Sequence, residues 1–289
     1  MKNHLFFAVI MSFFAVVNPI YSQHIEHTEN ECFLCQGETH GINDRPYKDF
    51  TFKNEWPFLA STAGLVLTSQ LINAPTPLTI EEINGLDRNN VNSFDRFATS
   101  KNSSSAQNAS DFLLTGVLVL PAIFLSHHHT RKDLIPLIVM PVEAILINYS
   151  LTEISKRLVS RTRPLAYNPD FPLEDKLEEN ARLSFFSGHT SHTATLSFLI
   201  AKVMTDYHPH ANKGFKIGIW SFAALVPATT GYLRIRAGRH FPTDTIAGFV
   251  AGGLVGVLVP HFHKKRKIAK KIKLQPSIGF NTASLRMQF

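Results

Sequence analysis

The sequence predicts an all-α fold, a bundle of about six core helices embedded in a membrane, with any functional site gathered at one rim. Three observations predict it. Apolar runs of helical length recur at residues 56–72, 112–126, 134–151, 193–207, 217–233 and 245–261, and no strand-like alternation competes with them. Each run is about 15 to 20 residues long, near the length that crosses a bilayer. Their interiors carry few charges, Glu143 and Lys202 being the exceptions, and their Ser and Thr residues are small enough to let membrane helices pack closely.

Taken in order, residues 1–22 show Lys2 and His4, an apolar stretch over 5–17, and Asn18-Pro19 before Ser22, the pattern of a secretory signal. An uncleaved anchor helix is the alternative. Residues 23–55 form a polar segment with Cys32 and Cys35 spaced C-x2-C near His24, His27 and His40. A four-ligand zinc site needs a second pair, so a local disulfide or two exported thiols is expected there, and no metal or other cofactor. Residues 56–110 read as a peripheral helix, lying on the bundle or at the interface, followed by a polar, turn-rich loop. Asp87, Arg88, Asn90, Asp95 and Arg96 in that loop read as a solvated surface helix, reach to the site being the alternative.

Residues 111–262 form the helical core and 263–289 a basic tail. The net charge is +7, and Lys264, Lys265, Arg266, Lys267, Lys270, Lys271 and Lys273 supply seven positives with no acid among them. The basic excess therefore belongs to the tail, and nucleic-acid binding by the body is excluded. The last residues, 274–289, alternate weakly and form either a strand or a frayed end. His127, His128 and His129 read as a polar loop.

Three stretches carry chemistry. The central one is Ser187-Gly188-His189, a small-residue turn opening an apolar helix. Ser187 offers a hydroxyl, Gly188 lets backbone approach a ligand, and the helix start directs free N–H groups at an anion. Upstream, Lys156 precedes Arg163-Pro164 by two helical turns, which places Lys156 and Arg163 on one face if the helix continues to the proline. Downstream, Arg234 is followed by His240 and Asp244, the latter pair one turn apart, a spacing that lets a carboxylate orient an imidazole. Arg161, Thr190, His192, Arg236 and Arg239 lie nearby as further candidates.

The ordered pattern Lys-x6-Arg-Pro, Ser-Gly-His, Arg-x5-His-x3-Asp resembles the type 2 phosphatidic acid phosphatase and vanadium haloperoxidase superfamily. The resemblance covers roughly residues 134–260. The proline usual before Ser-Gly-His is Phe186 here, and the serine usual before the arginine of the third motif is Leu233, departures that bear on loop shape and substrate fit. The resemblance implies that His240 attacks phosphorus, that Asp244 orients it, and that His189 protonates the leaving oxygen and then activates water. Lys156, Arg163, Ser187, Gly188 and Arg234 would bind the phosphate, with no metal. The substrate it implies is a lipid phosphate monoester or pyrophosphate: phosphatidic acid, phosphatidylglycerol phosphate, undecaprenyl pyrophosphate or the lipid A phosphates.

A soluble periplasmic acid phosphatase is the alternative, ahead of a vanadate haloperoxidase or a membrane protein with a dead site. If the five runs from residue 112 onward cross the membrane, loops 127–132 and 212–216 and the basic tail share one side, the cytoplasmic one by their charge. The three motifs then face the periplasm of a bacterial-type inner membrane.

Overall fold

The computed structural model describes residues 45–47, 50–125, 133–264, 273–279 and 282–288. The chain divides into two units, residues 1–43 and 44–289, and every described residue belongs to the second. The expected signal segment, the Cys32 and Cys35 pair, the His127 to His129 loop and most of the basic tail lie outside the described residues.

The helices are α1 (Phe52–Leu71), α2 (Ile80–Asn84), α3 (Ser93–Arg96), α4 (Ser104–Val119), α5 (Leu134–Val159), α6 (Leu173–Leu177), α7 (Gly188–Tyr207), α8 (Lys213–Arg236) and α9 (Pro242–Lys264). The six long ones, α1, α4, α5, α7, α8 and α9, are the core expected from the apolar runs. All but α5 begin before those runs, and polar caps start three of them. Ser103, Ser187 and Asn212 accept the backbone N–H of Ala106, Thr190 and Phe215 respectively. An antiparallel hairpin, β1 (Lys273–Gly279) with β2 (Thr282–Gln288), follows the bundle, so the terminal alternation is strand and the all-α description holds for residues 52–264.

Helix α7 is the hub, packing against α4, α5, α8 and α9. Its buried face is rich in small hydroxyls, among them Ser191, Thr193, Thr195 and Ser197. Thr193 and Thr195 donate to carbonyls one turn back, His189 O and Ser191 O, so their burial leaves those polar groups paired. Against this face lie Gly248, Gly252 and Gly256 of α9, where an added Cβ would stand 2.6, 2.1 and 2.3 Å from the backbone oxygens of Ser187, Ser191 and Thr195. Backbone meets backbone along three turns, which only glycine permits.

The opposite face of α9 carries Ile246, Val250, Leu254, Leu258 and Phe262, all exposed. A helix with small residues inward and large apolar ones outward inverts the pattern of a water-soluble protein. Among the described residues, two helical stretches, Leu134–Tyr167 and Pro242–Lys264, are long and apolar enough to be membrane spans.

Helix α1 lies on the bundle. It packs lengthwise beside α5. At its carboxyl end, Arg157 of α5 donates to Ser69 O at 2.9 Å and Ile72 O at 2.6 Å, capping the last carbonyls. At its amino end, Glu55 meets α9, where His263 Nε2 is 3.0 Å from Glu55 Oε2 and 3.2 Å from Glu143 Oε2 of α5. All three side chains are nearly fully buried. At this same end Tyr47, Phe124, Leu137, Met140, Leu199, Val203 and Val259 form the main apolar core.

Candidate active site

The site is assembled at the end where α5 and α8 finish and α7 and α9 begin. The alternation of helix direction brings the three motifs together there, since each sits at a helix end. The loops carrying α2, α3 and α6 pack over the same end, through Val91 and Ala98 on Phe241 and Leu78 on Ala166 and Ala181.

Lys156 stands in the last turn of α5, its Nζ 3.2 Å from Glu153 and 3.6 Å from where a Cβ on Gly188 would lie. Arg163 does not share its helical face, contrary to the expectation. α5 stops at Val159, and Ser160 takes a left-handed conformation (φ 47°) with its N–H on Lys156 O. Arg163 is extended (φ −75°, ψ 156°), the conformation favoured before Pro164. Its side chain is carried to the site through the loop instead, donating from Nη2 to Leu183 O at 3.2 Å.

The second motif is fixed by its backbone. Ser187 N donates to Asp244 O at 3.0 Å, while Ser187 Oγ pairs with Thr190 Oγ1 at 3.0 Å. Thr190 thus supports the turn. His189 projects from the first turn of α7 with its side chain 28% exposed, so it faces the mouth of the site. Its Nε2 is 2.7 Å from Asp111 Oδ1 of α4.

The third motif turns sharply between α8 and α9. Gly238 has φ 67°, and a Cβ there would lie 2.2 Å from Lys101 O, so conformation and space both require glycine. Arg234 is buried in the last turn of α8, its Nη1 3.3 Å from Ser110 Oγ and 3.6 Å from Asp111 Oδ1. His240 is almost fully buried.

His240 Nδ1 lies 2.9 Å from Ser184 O, a carbonyl that can only accept, which places the proton on Nδ1 and leaves the Nε2 lone pair free. Asp244 Oδ2 is farther from Nδ1, at 3.7 Å. The orienting hydrogen bond expected from Asp244 therefore comes from Ser184, and the carboxylate acts on what surrounds the ring. It accepts Ser184 Oγ at 2.5 Å, Phe241 N at 2.9 Å and Arg161 Nη1 at 2.5 Å. Burial, then the cations Arg163 and Arg234, push the His240 imidazole well below its ordinary pKa against the pull of Asp244. It is a neutral base at neutral pH.

Of the further candidates, Arg161 is a girder. It bridges Asp244 and Asp95, bonds Thr243 Oγ1 at 2.7 Å, and its guanidinium lies 4.1 Å from the Phe241 ring centroid. Asp95 is fully buried, contrary to its reading as surface, and also accepts Thr243 N at 3.0 Å. Burial would raise its carboxyl, but bonds from Arg161, Thr243 and Asn92 outweigh that and hold it below the usual range. Arg88 and Arg96 serve the local loop, bonding Thr99 and the carbonyls of Val91 and Asn89.

Arg239 approaches the site from the turn, held by Gln107 Oε1 at 3.0 Å and Asp175. His192 faces Asn148 inside the bundle, and Arg236 turns outward to Tyr232. The residue that sequence reasoning passed over is Asp111. Its signal was a single charge in an apolar helix, hidden because the apolar run begins at Phe112 while α4 begins two turns earlier.

His189 and His240 both lie in the electrostatic field of Arg163 and Arg234. Each arginine is more than nine-tenths buried and keeps an Nε with no hydrogen-bond partner among the described residues. Buried guanidinium donors left over in this way are available to an oxyanion, with Lys156 adding charge and the α7 amino end adding dipole. The electrophilic side of the site is built from cations.

Residues 137–268 match the model of the PAP2 superfamily. Phosphatidylglycerophosphatase B of Bacillus subtilis (strain 168) is 29% identical over 159 residues, covering 55% of this chain and 71% of that protein. Lipid A 4'-phosphatase of Porphyromonas gingivalis is 30% identical over 138 residues, covering 46% of this chain, which spans 54% of that relative's length. Among solved structures, a transmembrane PAP2 type phosphatidylglycerolphosphate phosphatase from Bacillus subtilis covers 76% of this chain and 91% of its own, with 22% identity and a TM-score of 0.41.

Proposed function

We propose, from the match of residues 137–268 to the PAP2 superfamily model, that the chain is a metal-independent lipid phosphatase working through a phosphohistidine. The observation that carries the reading is the pair of buried arginines, Arg163 and Arg234, with spare Nε donors beside two imidazoles of different exposure. The buried, neutral His240 suits a nucleophile and the solvent-facing His189 suits an acid and base.

In the first step the Nε2 lone pair of His240 forms a bond to phosphorus. The P–O bond to the lipid breaks, its electron pair stays on the leaving oxygen, and His189 supplies the proton. In the second step His189 takes a proton from water, whose oxygen attacks phosphorus while the P–N pair returns to His240. Lys156, Arg163 and Arg234 stabilise the charge on the transferring phosphoryl group, and Ser187 and the Gly188 backbone complete the cradle. The products are orthophosphate and a lipid alcohol, or a lipid monophosphate when the substrate is a pyrophosphate.

The lipid class rests on the curated relatives, which act on a phosphatidylglycerol phosphate and on lipid A by their names. It also rests on the outward apolar face of α9, which disfavours the soluble acid phosphatase alternative. Lys202, Lys213, Lys216 and Lys264 lie toward the end remote from the site, so that end is cytoplasmic and the site faces the exported side. Arg45 and Tyr47 also lie at that end, tied to Asp133 and Asp206.

The test is phosphate release from a panel of lipid phosphates by purified protein in detergent with chelator, alongside His240→Ala. Turnover confined to the wild type, with acid-labile label trapped on protein by rapid quench, supports the reading. Undiminished turnover by His240→Ala sinks it.

A further inference from the structure

Helix α4 turns one face toward the cradle. Gln107, Ser110 and Asp111, at i, i+3 and i+4, meet Arg239, Arg234 and His189 respectively. Asp111 is the one charged residue in α4. Its Oδ1 lies 2.7 Å from His189 Nε2 and 3.6 Å from Arg234 Nη1, and its side chain is 49% exposed. A carboxylate oxygen so placed touches the two groups that, on the phosphatase reading, a substrate oxygen would need: the acid's proton and an arginine donor.

The other groups facing His189 are cationic or neutral: Arg234 from α8, Arg163 from the loop after α5, Lys156 from α5 through Gly188, and His192 on its own helix. Asp111 is the one anion among them. Its partial exposure leaves room for the side chain to turn toward solvent, whereas Arg234 and His240 are buried and fixed. Two negative groups in contact repel strongly, so phosphate and the Asp111 carboxylate exclude one another from this position.

We propose that Asp111 is a resident anion of the cradle in the free enzyme, occupying the His189 and Arg234 contacts and giving way when the substrate phosphate arrives. It is a positioning residue: it acts on phosphate through His189 and Arg234. The inference rests on the phosphatase reading and adds a competition built into the fold. The substrate takes over the contacts to His189 and Arg234 that the carboxylate had filled.

The experiment compares wild type, Asp111→Asn and Asp111→Glu, each as the full chain in detergent, with orthophosphate as the probe. Asp111→Asn should strengthen inhibition by orthophosphate on the order of tenfold at neutral pH and lower KM. It should also lower kcat and move the alkaline limb of kcat/KM to lower pH, because His189 has lost the carboxylate that favours its protonated form. Asp111→Glu should restore both the inhibition constant and the limb toward wild type. A role confined to folding would leave both in place, so unchanged or weaker phosphate inhibition with an unmoved limb overturns the proposal.

Should Asp111→Asn fold poorly, Asp111→Ser carries the same expectations. Calorimetric binding of orthophosphate to His240→Ala, with and without Asp111→Asn, needs no turnover. Equal affinities there refute the resident anion alone, whereas a wild type that cleaves no phosphate ester refutes the phosphatase reading.

Discussion

Replacing Gly252 by alanine tests whether the contact between α7 and α9 sets the geometry of the site. A helical glycine exchanged for alanine gains up to about 1 kcal/mol from propensity alone. Here the new Cβ would stand 2.1 Å from Ser191 O, 2.8 Å from Ser191 C and 2.9 Å from Ser191 Cα. These are backbone atoms, with no rotamer to yield. Overpacking of this kind costs about 3 kcal/mol at the upper end of its usual range, leaving a net loss of about 2 kcal/mol.

Relief requires α9 to back away from α7 by about 1 Å, and a displacement of that size at a reacting centre costs on the order of 100-fold in rate. Asp244 and Ser187, which meet through Asp244 O, lie two turns and one turn away on the two helices. Gly253→Ala is the control, because its Cβ would meet the Phe198 ring at 3.5 Å, an ordinary contact. The assays are thermal unfolding in detergent and phosphate release on the same preparations. If Gly252→Ala matches Gly253→Ala in both, the close backbone approach is not what aligns the site.

The other expectations concern the site and its orientation. Arg163→Gln removes the cation that, after burial, most depresses the His240 imidazole. The protonated form then persists to higher pH, so the acidic limb of kcat/KM should move up, and a pH profile that keeps this limb in place contradicts the assignment. Asp95→Asn should flatten stability against acid. Its carboxyl is held below the ordinary value, so it contributes stability above about pH 4 that is lost as pH falls through the native pKa; chemical denaturation at pH 3 and pH 6 checks the sign. Single cysteines at Ser103 and Lys213, in a background lacking Cys32 and Cys35, should differ in intact cells. An impermeant maleimide should label only the Ser103 position, and labelling of the Lys213 position alone reverses the orientation.

Much of the fold was legible because apolar runs report helices directly, and α5, α7, α8 and α9 stand where those runs stand. Their ends were less so. Whether α5 continues to Arg163 depends on Ser160 adopting a left-handed turn, which no local preference of serine announces. The site motifs could be read in order, yet the partners that hold them could not, because they come from distant chain. Asp95 looked like a surface acid in a polar loop, and only the fold brings Arg161 and Thr243 onto it. The orienting acceptor for His240 is a backbone carbonyl, that of Ser184, and carbonyls leave no trace in a residue pattern. Which helix α1 packs on could not be read from its own run, because its seat depends on Arg157 and His263 of distant helices.

The imidazole of His263 between Glu55 and Glu143 bears on how the chain is built. The two acids belong to helices made early, α1 and α5, and their shared counterpart arrives in the final turn of the last helix. Until then the ribosome has delivered a bundle whose interior holds acids without that basic partner. Assembly is therefore sealed from its carboxyl end, and a chain cut just short of His263 keeps every motif of the cradle yet lacks the latch that fastens its first helix.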